Sequence, residues 1–434
     1  MSIAYGGIVA FFFRGLNVVL AFGTVLLTSR AMRQEDYGLF VLGLSVIGFI
    51  GAITGGMTAA TAYQVSNQRR APGVALANAG ATSAGLSILA LVGGLLGAQL
   101  LQGEAERVSL AVGCTAGAVI AATAVAGAFL GSGSLIRYNV ALVLPPFLSV
   151  GAVGFTLLVL NVRSAEGALA AYAVGQWAAL FLLGVSALMS YRRELRLERD
   201  LPLIILRYAA LAGISSGISY LNYRADLFVV RHFEGKGGVA VYSLAVYLAE
   251  SVWQVSGSLT LATYARIGAL AQQEAAELTA RVMRHTLVLL GGICGLLFLV
   301  AGLVESLLFQ KYEGMASAVR YLLPGVLMYS MAQSFSGYYS YQRGKPWAAA
   351  IEAGGGLLLD ITLAVILVPR MGVNGAALAS SIAYAVAIVG GLAVFLRGTH
   401  LRPVDLFVFR REDADDYLRL FGRVRSLLVG RTSD

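Results

Sequence analysis

Ionisable residues stand well inside long apolar runs, among them Arg14, Arg224, Asp226 and Glu250. A charge at mid-membrane costs at least about 2.5–3.5 kcal/mol on insertion scales, so such residues face protein or water and mark pathways or internal ion pairs. Arg14 shares one helical face with Asn17, Ala21, Thr24 and Thr28. Further on, Ser216, Tyr220, Arg224 and Arg231 form one stripe, and Ser215, Ser219, Asn222 and Asp226 another. Arg224 and Asp226, two residues apart, point about 200° away from each other around a helix and do not simply pair. Glu250 falls on a face with Ser243, Tyr247, Gln254 and Ser258. A guanidinium makes bidentate bonds to phosphate oxygens and stays charged at any working pH, so Arg14 and Arg224 are candidates for holding an anion. The alternative is that each neutralises a carboxylate such as Glu250 and only fastens helices together. Asp226 and Glu250 are candidates for proton or cation coupling, since a carboxylate in a low-dielectric site can take up a proton; the alternative there is an Arg224–Glu250 structural pair. Glu352 and Asp360, eight residues apart, share roughly one face.

The elements that position these residues follow from composition. Of 434 residues 58% are apolar, 52 are glycine and 13% are charged, about half the ~25% charge of a soluble domain. That excludes soluble, disordered and disulfide-stapled secreted classes and indicates a polytopic membrane protein. About 20 apolar residues cross the hydrocarbon core, and twelve such runs lie near 3–28, 37–63, 74–101, 108–130, 138–162, 167–191, 203–230, 238–264, 286–309, 317–341, 347–368 and 373–396. Runs of this length are helices. The first does not read as a cleaved leader, because it lacks a basic start and carries Arg14. Of 32 Lys and Arg residues, 21 fall on the side shared by both termini, nine on the opposite side and two within spans, which places both termini in the cytoplasm. Loops on the far side are too short for a catalytic domain. Cys114, Cys294, His232, His285 and His400 are too scattered for a metal site, and no cofactor is expected. The net charge of +9 is spread over short loops and a tail, so no nucleic-acid partner is expected.

The two halves repeat weakly. Gly38–Gly43 resembles Ala240–Ala245, Gly167–Ala171 resembles Gly375–Ala379, and Gly131–Ser134 sits opposite Gln342–Lys345, at offsets near 202–211. Six spans per repeat predicts two parallel repeats related by an axis along the membrane normal: an all-α fold with an N-terminal lobe at 1–191, a cytoplasmic linker at 192–202, a C-terminal lobe at 203–396 and a basic cytoplasmic tail at 397–434. Arg14 and Arg224 then open the two repeats. Pro145-Pro146 and Pro324 are expected to kink or break their helices, and Gly93-Gly94 and Gly354-Gly355-Gly356 to allow close helix approach. Residues 405–430 read as an amphipathic helix, with Leu418, Phe421, Val424 and Leu428 opposite Arg419, Arg423 and Arg425, after a polar turn of Glu412, Asp413, Asp415 and Asp416. Such a helix would rest on the anionic inner leaflet; disorder is the alternative.

Three stretches resemble the polysaccharide transporter (Wzx-type oligosaccharide flippase) family of the multidrug/oligosaccharidyl-lipid/polysaccharide (MOP) exporter superfamily. They are Ser29-Arg30-Ala31-Met32-Arg33-Gln34-Glu35-Asp36-Tyr37-Gly38, then Asp226-Leu227-Phe228-Val229-Val230 with Val241-Tyr242-Ser243-Leu244-Ala245, and Val368-Pro369-Arg370-Met371-Gly372-Val373-Asn374-Gly375-Ala376-Ala377-Leu378-Ala379. Met32-Arg33 departs from the family's usual Leu-Gly. The resemblance covers residues 1–396. It implies a MATE-like fold in the bacterial cytoplasmic membrane that moves an undecaprenyl-diphosphate-linked oligosaccharide outward by alternating access, against a proton or sodium gradient, for O-antigen, capsule or exopolysaccharide synthesis. On that reading Arg14 and Arg224, with Asn17 and Asn222, hold the lipid diphosphate. Tyr223, Tyr338 and Gln333, with Tyr341 and Gln342, stack on or hydrogen-bond sugars; an interfacial aromatic belt is the alternative, preferred for Tyr341. Membrane lipids and a polymerase or glycosyltransferase are the expected partners. Two other functions compete: a cation-coupled drug antiporter of the same superfamily, which predicts acidic residues dominating the cavity, and a membrane glycosyltransferase or polymerase, which predicts a large outer or carboxylate-rich loop.

Overall fold

The computed structural model describes residues 3–257, 270–331, 338, 347–408 and 410–413, and the side chains among them other than those of 3–8, 10 and 347–352. The elements are α1 (Ile3–Ala31), α2 (Gln34–Thr54), α3 (Gly56–Ser66), α4 (Pro72–Leu100), α5 (Glu104–Gly131), α6 (Leu135–Leu158), α7 (Ala165–Tyr191), α8 (Leu201–Asn222), α9 (Asp226–Glu250), α10 (Gln272–Leu308), α11 (Met315–Ser330), α12 (Trp347–Met371), α13 (Val373–Arg397) and a short α14 (Pro403–Phe407). No strand occurs among the described residues.

Ten helices among the described residues are long and apolar enough to cross a membrane, and the chain is a multi-pass membrane protein. Of the twelve expected runs, those near 238–264 and 317–341 begin as α9 and α11 and continue outside the described residues. Three expectations change. The run at 203–230 is two helices, separated by a turn at Tyr223–Ala225. The stretch left between the expected runs at 238–264 and 286–309 is helical from Gln272, because its Ala, Glu, Leu, Arg and Met are strong helix formers whatever their charge. At 37 residues α10 is about 55 Å long against a hydrocarbon core of about 30 Å. Finally, of the kink or break expected at Pro145-Pro146 and Pro324 the break does not occur, since α6 and α11 continue past them.

The chain divides into two compact units, Met1–Leu244 with Glu305–Glu313, and Ala245–Val304 with Gly314–Asp434. In the first, α4 and α5 meet where Gly94 and Gly113 face each other, so close that a Cβ on Gly94 would lie 2.8 Å from the Gly113 Cα. Small residues let backbones approach where lipid gives no hydrophobic drive; Gly354 and Gly355, by contrast, meet nothing within 4 Å. Hydroxyls bridge the same helices, Ser87 Oγ donating to Gly117 O at 2.8 Å. The segment after α7 is docked on α4: Asn78 Nδ2 donates to Arg196 O and Asn78 Oδ1 accepts from Glu198 N, both at 2.9 Å, while Glu194 accepts from Gly73 N at the start of α4. Helix α8 packs on α2 and α3, where Tyr63 and Tyr208 stack with ring centroids 5.1 Å apart.

In the second unit, Gly325 N donates to Ser381 Oγ at 2.8 Å, joining α11 to α13. Residues 398–413 return to the start of α10. There Arg284, almost fully buried, forks onto Asp413 through Nε (2.6 Å) and Nη2 (2.9 Å) and reaches Asp405 O through Nη1 (2.6 Å). Asp413 is 0% exposed. The polar acidic turn expected there is thus a buried clamp at this position; residues 414–434, with the rest of the expected amphipathic helix, lie outside the described residues. Burial alone would raise the Asp413 carboxyl, but the hydrogen bonds from Arg284 and the Arg410 amide, with the charges of Arg284 and His285, hold it below the ordinary carboxylate range. Breaking a buried pair by removing one partner costs about 3–5 kcal/mol, so Arg284→Ala is expected to lower the thermal unfolding midpoint in detergent clearly. Because the folded-state value is depressed, the clamp is complete at neutral pH and is lost as pH falls through that lowered value. Acidification should therefore narrow the gap in unfolding midpoint between the parent chain and Asp413→Asn.

Candidate functional site

Helix α1 supplies the first candidate. Its threonines satisfy themselves, Thr24 Oγ1 donating to Leu20 O at 2.8 Å and Thr28 Oγ1 to Thr24 O at 2.6 Å. Higher on the same stripe, Arg14 is exposed and Asn17 half-buried, and neither makes a hydrogen bond or ion pair among the described residues. Neighbouring faces carry exposed Phe11, Phe12, Val19 and Phe22. Arg14 lies about 26 Å along the helix axis from Ala31.

The second candidate is the break between α8 and α9. Helix α8 ends at Asn222, Tyr223–Ala225 form a turn, and α9 begins at Asp226. The break has local causes. Arg224 Nη1 turns back onto Tyr223 O at 2.6 Å, covering a carbonyl that the helix end leaves without an amide. Asp226 sits at the N-terminus of the next helix, where a carboxylate meets the positive end of the dipole; its Oδ1 accepts from Leu227 N at 2.8 Å and its Oδ2 from the Tyr242 hydroxyl. Asp226 is 2% exposed and Tyr242 0%. Asn222 is buried, and its Oδ1 has no hydrogen-bond partner among the described residues. Tyr223 and Arg224 are half-buried.

Tyr242 reaches Asp226 because α9 folds back at Gly235 (φ 69°, ψ −165°), a left-handed φ that glycine adopts without strain. The tip is fixed by charge: Lys236 bridges Glu35 at 3.1 Å and also pairs with Glu104, and Arg231 reaches Glu104 at 3.0 Å. The helix from Asp226 to the tip is about 13 Å long, and the tip lies beside Gln34, just past the end of α1. Both arginines belong to the same compact unit.

The remaining candidates lie elsewhere. Glu250, half-buried, is the last residue of α9 and belongs to the second unit. Tyr338 is buried, its ring edge-on to Phe395 at 5.1 Å, and it borders a cavity of about 450 Å³ with Gln272, Arg397 and His400. Asp360 is buried and accepts from Ser380 Oγ at 3.0 Å. Gln333, Tyr341 and Gln342 lie outside the described residues, as does the Glu352 side chain. The sequence reading missed an aromatic group in the second unit: Trp253, Tyr329 and Tyr384 have centroids 4.9–5.7 Å apart, and Trp253 Nε1 donates to Val326 O at 3.0 Å. Three aromatic residues on three separate runs carry no spacing signal. No group of three or more His, Cys, Asp or Glu among the described residues could hold a metal ion.

No protein-family model and no curated protein matches the chain. Solved structures do. The chain is similar to the lipid II flippase MurJ in an inward closed conformation (TM-score 0.71, 14% identity, over 93% of this chain and 89% of that one). It is also similar to an inward-facing multidrug resistance transporter of the MATE family (TM-score 0.66, 17% identity, 87% and 93%). A third likeness is to a MOP superfamily transporter from Pyrococcus furiosus with a binding pocket of reverse polarity (TM-score 0.58, 17% identity, 90% and 94%). The fold is that of the MOP superfamily transporters. Within that class it is the architecture shared by the MATE transporters and MurJ.

Proposed function

We propose that the chain is a flippase of the MOP superfamily that carries a polyprenyl-diphosphate-linked oligosaccharide across the bacterial cytoplasmic membrane by alternating access, with both termini in the cytoplasm, in polysaccharide synthesis. The observation that carries this reading is Arg14: a guanidinium within a membrane-spanning helix, exposed, beside an equally unpaired Asn17 amide. A charge so placed needs water and an anionic partner. A diphosphate headgroup supplies one, and the guanidinium fork fits its oxygens. Arg224, whose Nη1 lies on Tyr223 O at the helix break, brings a second guanidinium to the same compact unit. Both arginines stand in one compact unit, which suits a headgroup passed between them. Asp226 at the helix break is the coupling carboxylate in this reading, and Tyr223 beside it is a surface for a sugar ring.

The polysaccharide branch rests on the sequence motifs; the fold is shared with a protein named for lipid II and with multidrug transporters alike. Titration of the purified protein with a polyprenyl-diphosphate glycan tests the reading. Binding to the folded state alone raises the unfolding midpoint with ligand concentration. The rise is expected with the diphosphate glycan, not with the neutral polyprenyl glycoside, and not with Arg14→Ala. Equal stabilisation by the neutral glycoside would overturn the assignment.

A further inference from the structure

The segment that joins α7 to α8, residues 192–200, carries four arginines and three carboxylates in nine residues. Folding sorts the two signs. Glu194 accepts from Gly73 N at 3.1 Å, an approach so close that a Cβ on Gly73 would lie 2.5 Å from the Glu194 Cβ. Glu198 pairs with Arg70. Buried Asn78 fixes the backbone between the two carboxylates through Arg196 O and Glu198 N. Asp200 immediately precedes α8, where a carboxylate meets the positive end of the helix dipole. The carboxylates are thus engaged by the protein itself. Arg192, Arg193, Arg196 and Arg199 are all exposed, and none of their side chains makes a hydrogen bond or ion pair among the described residues. Leu195 and Leu197 are exposed between them, Leu197 by 67%. Both flanking helices are long and apolar enough to cross a membrane, so the segment lies at a membrane face. Exposed Leu188 and Met189 near the end of α7, and Leu203 and Ile204 at the start of α8, carry the apolar surface right up to it.

We propose that residues 192–200 form an anionic-phospholipid site, in which Arg192, Arg193, Arg196 and Arg199 hold headgroup phosphates of the adjacent leaflet and Leu195 and Leu197 dip among the acyl chains. A bias in Lys and Arg only assigns a side of the membrane. Here the anchored backbone decides which side chains meet that side, turning the carboxylates to α4 and the guanidiniums outward. A guanidinium forks onto two phosphate oxygens. The exposed leucines, and the apolar surface on either flank, favour a lipid over an acidic soluble partner, which would leave them in water. The site does not depend on the cargo proposed above.

A fluorophore at Leu197→Cys, in full-length protein carrying Cys114→Ser and Cys294→Ala and held in nanodiscs, tests this by quenching with brominated phosphatidylglycerol or, at the same fraction, brominated phosphatidylcholine. Each guanidinium that holds a headgroup is expected to enrich the anionic lipid about fivefold at low salt, so phosphatidylglycerol should quench several-fold more efficiently. The ratio should fall towards one in Arg192→Gln/Arg193→Gln/Arg196→Gln/Arg199→Gln and in the parent at high salt, while four lysines at the same positions should keep most of it. Asn78→Ala, which frees the backbone, should lower the ratio with all four arginines in place. Should Asn78→Ala not fold, the glutamine variant keeps the test open, since it alters exposed side chains alone. Equal quenching by the two lipids in the parent, a label that neither lipid quenches, or a ratio unchanged in the glutamine variant would overturn the site. No glycan is present in these discs, so the outcome is independent of what the protein transports.

Discussion

Arg14→Ala is expected to slow translocation of a polyprenyl-diphosphate glycan in proteoliposomes about 100-fold while leaving the unfolding midpoint unchanged. Two charge-assisted bonds to the diphosphate, at about 1.5 kcal/mol each, account for a loss of that size. Stability should hold because Arg14 is exposed and has no described partner, so its removal strands no buried group. Arg14→Lys keeps the charge but loses the planar fork, and should retain part of the rate. Arg224→Ala should behave differently, because that side chain also covers Tyr223 O at the helix break: translocation and stability should fall together. Initial rates and unfolding midpoints measured on the same preparations check both statements. A drop in stability with Arg14→Ala equal to that with Arg224→Ala would mean that Arg14 fastens helices rather than cargo.

The second large effect concerns Asp226. Asp226→Asn keeps the shape and an acceptor for the Tyr242 hydroxyl but cannot carry the negative charge. Movement of one elementary charge across 100 mV is worth about 2.3 kcal/mol, enough to sustain a cargo gradient of roughly 50-fold. If Asp226 loads the coupling cation, Asp226→Asn should abolish accumulation against a gradient and leave downhill exchange intact. Tyr242→Phe should shift the cation concentration needed for half-maximal accumulation without abolishing it. Loss of uphill and downhill movement alike in a protein of normal stability would assign Asp226 to the transport path itself and refute coupling. Cation dependence surviving Asp226→Asn would exclude the residue altogether.

Most of the fold was legible because hydrocarbon imposes a single rule: the backbone must satisfy itself over about 20 apolar residues. That rule finds spans, and it fails where polar residues are helical or apolar ones are not. Residues 272–285 look like a loop by charge, yet Glu274, Glu277, Arg281 and Arg284 continue α10, with Arg284 held inside by Asp413. Conversely, the apolar run at 203–230 conceals the break at Tyr223–Ala225, because a turn closed by the Arg224 side chain, with Asp226 starting a new helix, has no mark in hydropathy. At the site, the sequence identified the charged residues but not their partners. Asp226 faces Tyr242, sixteen residues on, only because Gly235 reverses the chain. The Ser29–Gly38 motif stood out in the sequence, while Lys311 and Tyr312, which donate to the Arg30 and Ser29 carbonyls, sit in a stretch with no signal of its own.

The central claim is that two guanidiniums, Arg14 and Arg224, hold an anionic headgroup. Side-by-side translocation of a labelled polyprenyl-diphosphate glycan and of a lipophilic cation, by the parent protein and by Arg14→Ala/Arg224→Ala in matched proteoliposomes, tests it most directly. The account predicts that the parent moves the diphosphate glycan, that it does not move the cation, and that the double variant moves neither. Undiminished glycan movement by the double variant, or a parent protein that carries only the cation, would contradict it.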